Sequence, residues 1–247
     1  MKPTLGILGG MGPAATAEFL KEVTRQTPAA CDQNHFPSIS LSDVLVPDRT
    51  TAILGGVDNV TPRLKEDCNK LISWGADAIV SPCNTAHYFL RSFIHDLPVT
   101  FVDIVDATTD QAVHRARATA APGEEPTAWL TCTRGTVQSG LYQRSAEERG
   151  LTLLVPSDEL FDEFSAIIAL VKSGDMVEAG ARWRVVCKEL TSLRNVPVLT
   201  ACTELPLAHE ASGLPSEMEV SSLKALAYGI IKAMGVTPLP REGVDPI

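Results

Sequence analysis

No stretch of this chain approaches the roughly 18 consecutive apolar residues that mark a membrane-spanning helix. No membrane partner is expected. The first apolar piece, Leu5-Gly6-Ile7-Leu8, is too short for a secretory signal and has no cleavage pattern behind it. The expected location is cytoplasmic. Basic residues are also scarce, with 21 Lys and Arg against 30 Asp and Glu, a net charge of −9. A broad nucleic-acid surface needs the opposite balance, so no nucleic-acid partner is expected. Clustered cysteines are missing too. The six present are Cys31, Cys68, Cys83, Cys132, Cys187 and Cys202, without a C-x-x-C among them. That spacing excludes the common zinc motifs and argues for free thiols rather than a disulfide framework. The dinucleotide fingerprint is lacking as well: Gly10-Met11-Gly12 runs into Pro13-Ala14-Ala15, which is not G-x-G-x-x-G.

What is present reads as a soluble enzyme-sized core. Hydrophobic residues make up 45% of the 247 and charged residues 21%, enough to bury a large interior. Short apolar runs at 5–8, 39–42, 78–81, 99–102, 128–131, 153–155 and 198–201 predict strands. Amphipathic runs at 14–26, 57–74, 85–95, 104–117, 137–148, 158–172, 175–194 and 221–234 predict helices. This alternation predicts an α/β protein with mostly parallel sheets and ligand loops at the carboxyl ends of the strands. A turn-rich break, Ala120-Ala121-Pro122-Gly123-Glu124-Glu125-Pro126, divides the chain. The expected organisation is two pseudo-symmetric α/β lobes with the active site in the cleft between them. The first lobe would comprise 1–104 with 215–247, its C-terminal helix returning, and the second 105–214.

Two cysteines share one local setting. Ala78-Ile79-Val80-Ser81-Pro82-Cys83-Asn84-Thr85 and Val198-Leu199-Thr200-Ala201-Cys202-Thr203-Glu204 each run from apolar strand to Cys to polar residues opening a helix. A thiol at a helix N-terminus has its pKa lowered from about 8.5 toward roughly 3.5–7.5. It then exchanges protons near neutral pH. A single cysteine in such a place reads first as core, because free Cys is among the most buried residue types. The matched pair reverses that preference for Cys83 and Cys202. Cys31, Cys68, Cys132 and Cys187 lack the setting and keep the core reading.

Other residues are ambiguous when taken singly. Gly9-Gly10-Met11-Gly12 makes either a tight turn or an anion-binding loop at a helix start. Asn84 and Thr85 suit a helix cap. Arg49 reads alone as a solvated loop residue, and Lys172 as a helix C-terminal cation. His87 and His209 read as capping or packing residues.

Taken together, these blocks resemble the aspartate/glutamate racemase family, the pyridoxal-phosphate-independent kind. The resemblance rests on Gly6-Ile7-Leu8-Gly9-Gly10-Met11-Gly12-Pro13, Pro82-Cys83-Asn84-Thr85-Ala86-His87 and Ala201-Cys202-Thr203-Glu204-Leu205. Val46-Pro47-Asp48-Arg49-Thr50 and Arg134-Gly135-Thr136-Val137-Gln138-Ser139-Gly140-Leu141-Tyr142 agree, in family order along nearly the whole chain. The resemblance implies a cofactor-free amino-acid racemase with Cys83 and Cys202 on opposite faces of a substrate Cα. It implies Met11, Gly12, Asn84, Thr85, Thr133, Thr203 and Glu204 around the substrate. Arg49 and Lys172 would hold a side-chain carboxylate, which points to an acidic amino acid. Glu204, where the glutamate branch usually has His, is similar to the aspartate branch. Arg134 departs from the small or hydroxyl residue usual there, and either adds charge to the site or points to solvent. Aspartate is the expected substrate, with glutamate possible and a homodimer the expected assembly. The alternatives are a hydantoin racemase, a maleate isomerase or a catalytically silent amino-acid-binding protein. Arg49 with Lys172 argues against the hydantoin.

Overall fold

The computed structural model describes residues 2–247. The first half runs β1 (Leu5–Gly9), α1 (Pro13–Gln26), β2 (Ser38–Ser42), α2 (Arg49–Gly55), α3 (Thr61–Ser73), β3 (Ala78–Val80), α4 (His87–Leu90), β4 (Thr100–Val102) and α5 (Ile104–Thr119). The second runs β5 (Thr127–Thr131), α6 (Arg134–Ser139), α7 (Leu141–Glu147), β6 (Thr152–Leu154), α8 (Asp158–Ser173), α9 (Met176–Leu193), β7 (Val198–Thr200), α10 (Leu205–Ser212), β8 (Glu219–Ser221) and α11 (Ser222–Ala233). Each half forms one four-stranded parallel sheet, in the orders β2-β1-β3-β4 and β6-β5-β7-β8. The orders are the same permutation, so the halves are pseudo-symmetric α/β lobes, as the repeated cysteine settings predict.

That permutation fixes where a site can form. In each sheet the first strand is central, paired on one side with the second and on the other with the third. Loops leaving neighbouring strands diverge at such a switch point and open a crevice at the carboxyl ends. The loops after β1 and β3 carry Met11 and Cys83; those after β5 and β7 carry Thr133 and Cys202.

Side chains alternate across a strand, and β1 shows why the lobes are not independent bodies. Leu8 faces a cluster with Leu64, Cys68 and Phe89 on the outer side of the first sheet. Ile7 faces the other way, into a core that continues through Ile104, Leu226 and Ile230 to Leu130 and Leu199 of the second sheet. Helix α11 packs on both α1 and α5, bridging the two halves.

The structure departs from the sequence expectations at several elements. Strand β8 was not foreseen; it pairs with β7 and carries the second lobe to Ser221, past the boundary expected at 214. The helix expected over 57–74 begins at Thr61, whose N–H donates to Asp58 Oδ1 at 2.9 Å, with Pro62 in the first turn. The helix expected over 137–148 is two helices hinged at Gly140, which holds φ +68. In place of a helix over 85–95 stand the four residues of α4 and a 3-10 turn at Ile94–Asp96. Among the described residues, no helix is long and apolar enough to cross a membrane.

Candidate active site

Cys83 leaves β3 in a loop held by side chains on both flanks. Ser81 Oγ donates to the Leu8 carbonyl at 3.0 Å, tying the loop to the central strand. The Ile104 N–H donates to His87 Nε2 at 3.3 Å, so the proton of the ring sits on Nδ1. That Nδ1 then donates to the Cys83 carbonyl at 2.8 Å. Burial lowers the His87 pKa and keeps the ring neutral for this task. His87 is therefore a capping and packing residue, as its sequence context indicates.

Cys202 follows β7, where Ala201 N–H donates to the Thr131 carbonyl at 2.8 Å. Its thiol donates to Glu204 Oε2 at 3.1 Å. Burial, reinforced by the neighbouring Glu204 carboxylate, pushes the Cys202 thiol well above its ordinary range. The lowered pKa expected of a helix N-terminus is thus not found at Cys202. The reason is local: α10 starts only at Leu205, so Cys202 lies in the preceding turn. Lys172 acts in the opposite direction on the same thiol.

Both thiols are more than nine-tenths buried and line one cavity together with Met11, Arg49, Asn84, Thr85, Thr133, Lys172, Thr203 and Glu204. Every expected site residue is in its wall except Gly12. That glycine backs the wall instead: a Cβ there would lie 3.1 Å from Glu204 Oε1. The space is small, about 40 Å³ as traced by the centre of a water-sized sphere. At roughly 10–15 Å³ for one such sphere, it holds only a few waters.

The polar groups of the wall divide into satisfied and unsatisfied. Asn84 is held from two sides: Tyr142 Oη donates to its Oδ1 at 2.5 Å, and its Nδ2 donates to Ser222 Oγ at 3.1 Å. Thr85 Oγ1 sits 3.1 Å from Thr133 Oγ1 and 2.8 Å from Thr136 Oγ1, a hydroxyl cluster that joins the lobes. Arg49 is aimed by backbone: Nη1 donates to the Val46 and Pro47 carbonyls at 3.3 and 3.2 Å, and Nη2 to Met11 at 3.5 Å. Two buried atoms have no partner, Arg49 Nε and Glu204 Oε1. The cavity thus offers one unsatisfied cation and one unsatisfied carboxyl oxygen between two thiols. A compact zwitterion with an extra anionic group matches that arrangement.

Several site residues escaped the sequence reading. Asp48, Thr50 and Ile168 also line the cavity. Asp48 caps α2 by accepting the Thr51 N–H at 2.7 Å, which orients the turn carrying Arg49. Tyr142 and Thr136 lay within a quoted block but offered only packing or capping signals. Ser222 carried no signal, since its role depends on the unforeseen β8. Arg134 turns away from the site, pairing with Asp158 at 2.9 Å and Asp162 at 2.8 Å on α8. Cys68, Cys132 and Cys187 are buried core thiols, whereas Cys31 is exposed and departs from the core reading. Burial pushes Cys68 and Cys187 up to about 12, which leaves them inert as acids or bases. Among the described residues, no group of three His, Cys, Asp or Glu is arranged to hold a metal ion.

Comparison with known proteins gives the same picture. The family model described as Asp/Glu/Hydantoin racemase matches residues 8–227. The broad specificity amino-acid racemase RacX of Bacillus subtilis is 26% identical over 217 residues, covering 85% of this chain and 90% of that protein. The structure of Picrophilus torridus aspartate racemase superposes with a TM-score of 0.79 at 28% identity, covering 97% of this chain and 96% of that one. Glutamate racemase isoform RacE1 of Bacillus anthracis shares the fold, with a TM-score of 0.65 at 16% identity over 95% of this chain and 83% of its own.

Proposed function

This chain belongs to the Asp/Glu/Hydantoin racemase family, and from that premise we propose that it inverts the Cα of an acidic amino acid, aspartate foremost. Cys83 and Cys202 are the acid–base pair. One observation carries the reading: two thiols from opposite lobes line one small cavity that also holds the unpartnered Arg49 Nε and Glu204 Oε1.

The chemistry follows from those groups. A thiolate on one face takes the α-proton: the C–H bond breaks, an S–H bond forms, and the electron pair stays on Cα, delocalised toward the α-carboxyl group. The thiol on the other face then delivers its proton to Cα, and the configuration inverts. The raised pKa of Cys202 suits it to begin as the thiol that delivers the proton; the roles exchange for the other enantiomer. Each positioned proton transfer contributes about 10²–10⁴-fold. The carbanion needs further electrostatic support from donors fixed in advance. The Thr85 and Thr133 hydroxyls and the free N–H of Asn84 supply it at the α-carboxylate. Glu204 receives the ammonium. Arg49 receives the side-chain carboxylate, with Lys172 adding a point charge. No step in this reading uses a cofactor.

A broader substrate range is the second reading, favoured by the likeness to a racemase named for broad specificity. Racemisation of L-aspartate, L-glutamate and L-alanine by wild type and Arg49→Ala separates the two. A charge-assisted contact contributes about 1.5–3 kcal/mol, so Arg49→Ala should lose roughly 10–100-fold more kcat/KM on aspartate than on alanine. Equal losses on both would place Arg49 outside the side-chain subsite. Tight binding with no turnover of any acidic amino acid would leave a silent binding protein.

A further inference from the structure

Among the described residues, the wall of the catalytic cavity holds two apolar side chains besides its thiols, Met11 and Ile168. We propose that Ile168 determines specificity by limiting the length of the substrate side chain, so that aspartate fits and glutamate is disfavoured. The inference rests on the racemase reading and deepens it.

The place of Ile168 follows from its neighbours. Ile168 and Lys172 lie one turn apart on α8, so they share a face of that helix, and both line the cavity. Arg49 stands near the same end. Burial raises the Asp48 carboxyl, but hydrogen bonds from Thr51 and the charges of Arg49 and Lys172 bring it below its ordinary value. One carboxyl is thus within reach of both cations. Lys172 also acts on the Cys202 thiol, so this face of α8 runs beside the space between the thiols and the cations. In the proposed reaction the thiols fix Cα and the cations fix the side-chain carboxylate. The distance between those two points decides how many methylenes fit, and Ile168 borders it.

Stiffness makes Ile168 the limiting wall. The cavity holds only a few waters, so a bound amino acid takes room from the groups that can yield. Met11 is unbranched and adapts its shape. Lys172 is exposed and has a long, flexible stem. Ile168 is β-branched, with one strongly preferred χ1 in a helix. It is 7% exposed, within a core shared with Phe164 and Leu205, and α8 packs against α9 and α10. It cannot retreat without disturbing that core. One methylene more or less in a pocket changes discrimination by about 10–200-fold.

The test is racemisation of L-aspartate and L-glutamate by the full chain as wild type, Ile168→Val and Ile168→Ala. The wild type should favour aspartate in kcat/KM by about tenfold or more. Ile168→Ala should move the aspartate-to-glutamate ratio toward glutamate by roughly 10–200-fold. Ile168→Val removes a single methylene, is the milder change to the core, and should move the ratio the same way by a smaller factor. A purely structural residue would lower both rates together and leave the ratio alone. A wild type without preference for aspartate, or a ratio unchanged in the folded variants, would overturn the proposal. Dissociation constants for the two amino acids, measured by calorimetry on the same three proteins, give a reading that needs no turnover. Without racemisation the racemase reading fails, and the ratio of those constants decides the role of Ile168 by itself. A shift toward glutamate in the variants would then support the proposal, and an unchanged ratio or no binding of either amino acid would overturn it.

Discussion

Cys202 and Glu204 show how one neighbour sets the work of a thiol. Glu204 accepts the S–H at 3.1 Å and places a carboxylate beside the sulfur. Both effects favour the protonated thiol, on top of the larger effect of burial. Glu204→Gln removes the charge while keeping the shape. The Cys202 pKa should therefore fall, while burial holds it above the ordinary value. Alkylation of Cys202 by iodoacetamide, followed against pH in a Cys83→Ser background, should shift its midpoint to lower pH. An unmoved midpoint would show that Glu204 acts on substrate alone. At this scale the sequence told much. Cys83 and Cys202 were legible as cavity residues from their repeated setting, and Arg49 and Lys172 only through the family resemblance. Asp48, Tyr142 and Ser222 were not, because they act by holding other groups and have no signature of their own.

Elements bring those residues together, and the contact between α2 and α6 closes the cavity from both lobes. It is close because Gly135 has no side chain: a Cβ there would lie 2.8 Å from Thr50 Cα. Alanine is the better helix former by about 1 kcal/mol, so Gly135→Ala spares α6 itself and forces the lobes apart. A displacement near 1 Å in a catalytic site costs about 10²-fold. We expect kcat/KM to fall roughly 10–100-fold with the melting temperature little changed. Unchanged kinetics would show that the α2–α6 contact does not set the catalytic geometry. Strands β1, β3, β5 and β7 were legible as short apolar runs buried in the sheets, and the edge strand β2 by its alternation of Ser with Ile39 and Leu41. Strand β8, Glu219-Val220-Ser221, has one apolar residue in three and is buried by its surroundings. A helix opening after Cys202 was foreseen, but its extent was not, because α10 is short and carries Pro206 in its first turn. Gly140 ended a helix that periodicity alone would have carried through.

At the scale of the whole molecule, one core runs through both sheets from β1 to β7, with a second cluster on the outer side of the first. The acid stability of the molecule should depend on Asp43, which follows β2 and packs against Gly10. A hydrogen bond from Arg63 holds the Asp43 carboxyl at about 2, below its ordinary 3.8. A depressed carboxyl pKa contributes stability above the unfolded value and loses it as pH falls through the folded one. Urea unfolding should therefore weaken between pH 3.8 and about 2, and Arg63→Ala should flatten that interval. An identical slope in both proteins would remove Asp43 from the account. Asp67, 4.0 Å from the same guanidinium, is pushed upward by burial, so its effect falls above pH 3.8 and does not mask this one.

The same unity lets two thiols from separate lobes line one cavity, and in the proposed reaction both act on one substrate. That is the central claim, and hydrogen exchange at Cα tests it most directly. L-Aspartate in D2O is followed by NMR for loss of Cα–H and by chiral chromatography for the D-isomer, with wild type, Cys83→Ser and Cys202→Ser. The wild type should exchange Cα–H and form D-aspartate, and each variant should lose D-isomer formation by at least about 10²-fold. Racemisation at a near wild-type rate in either variant would contradict the account.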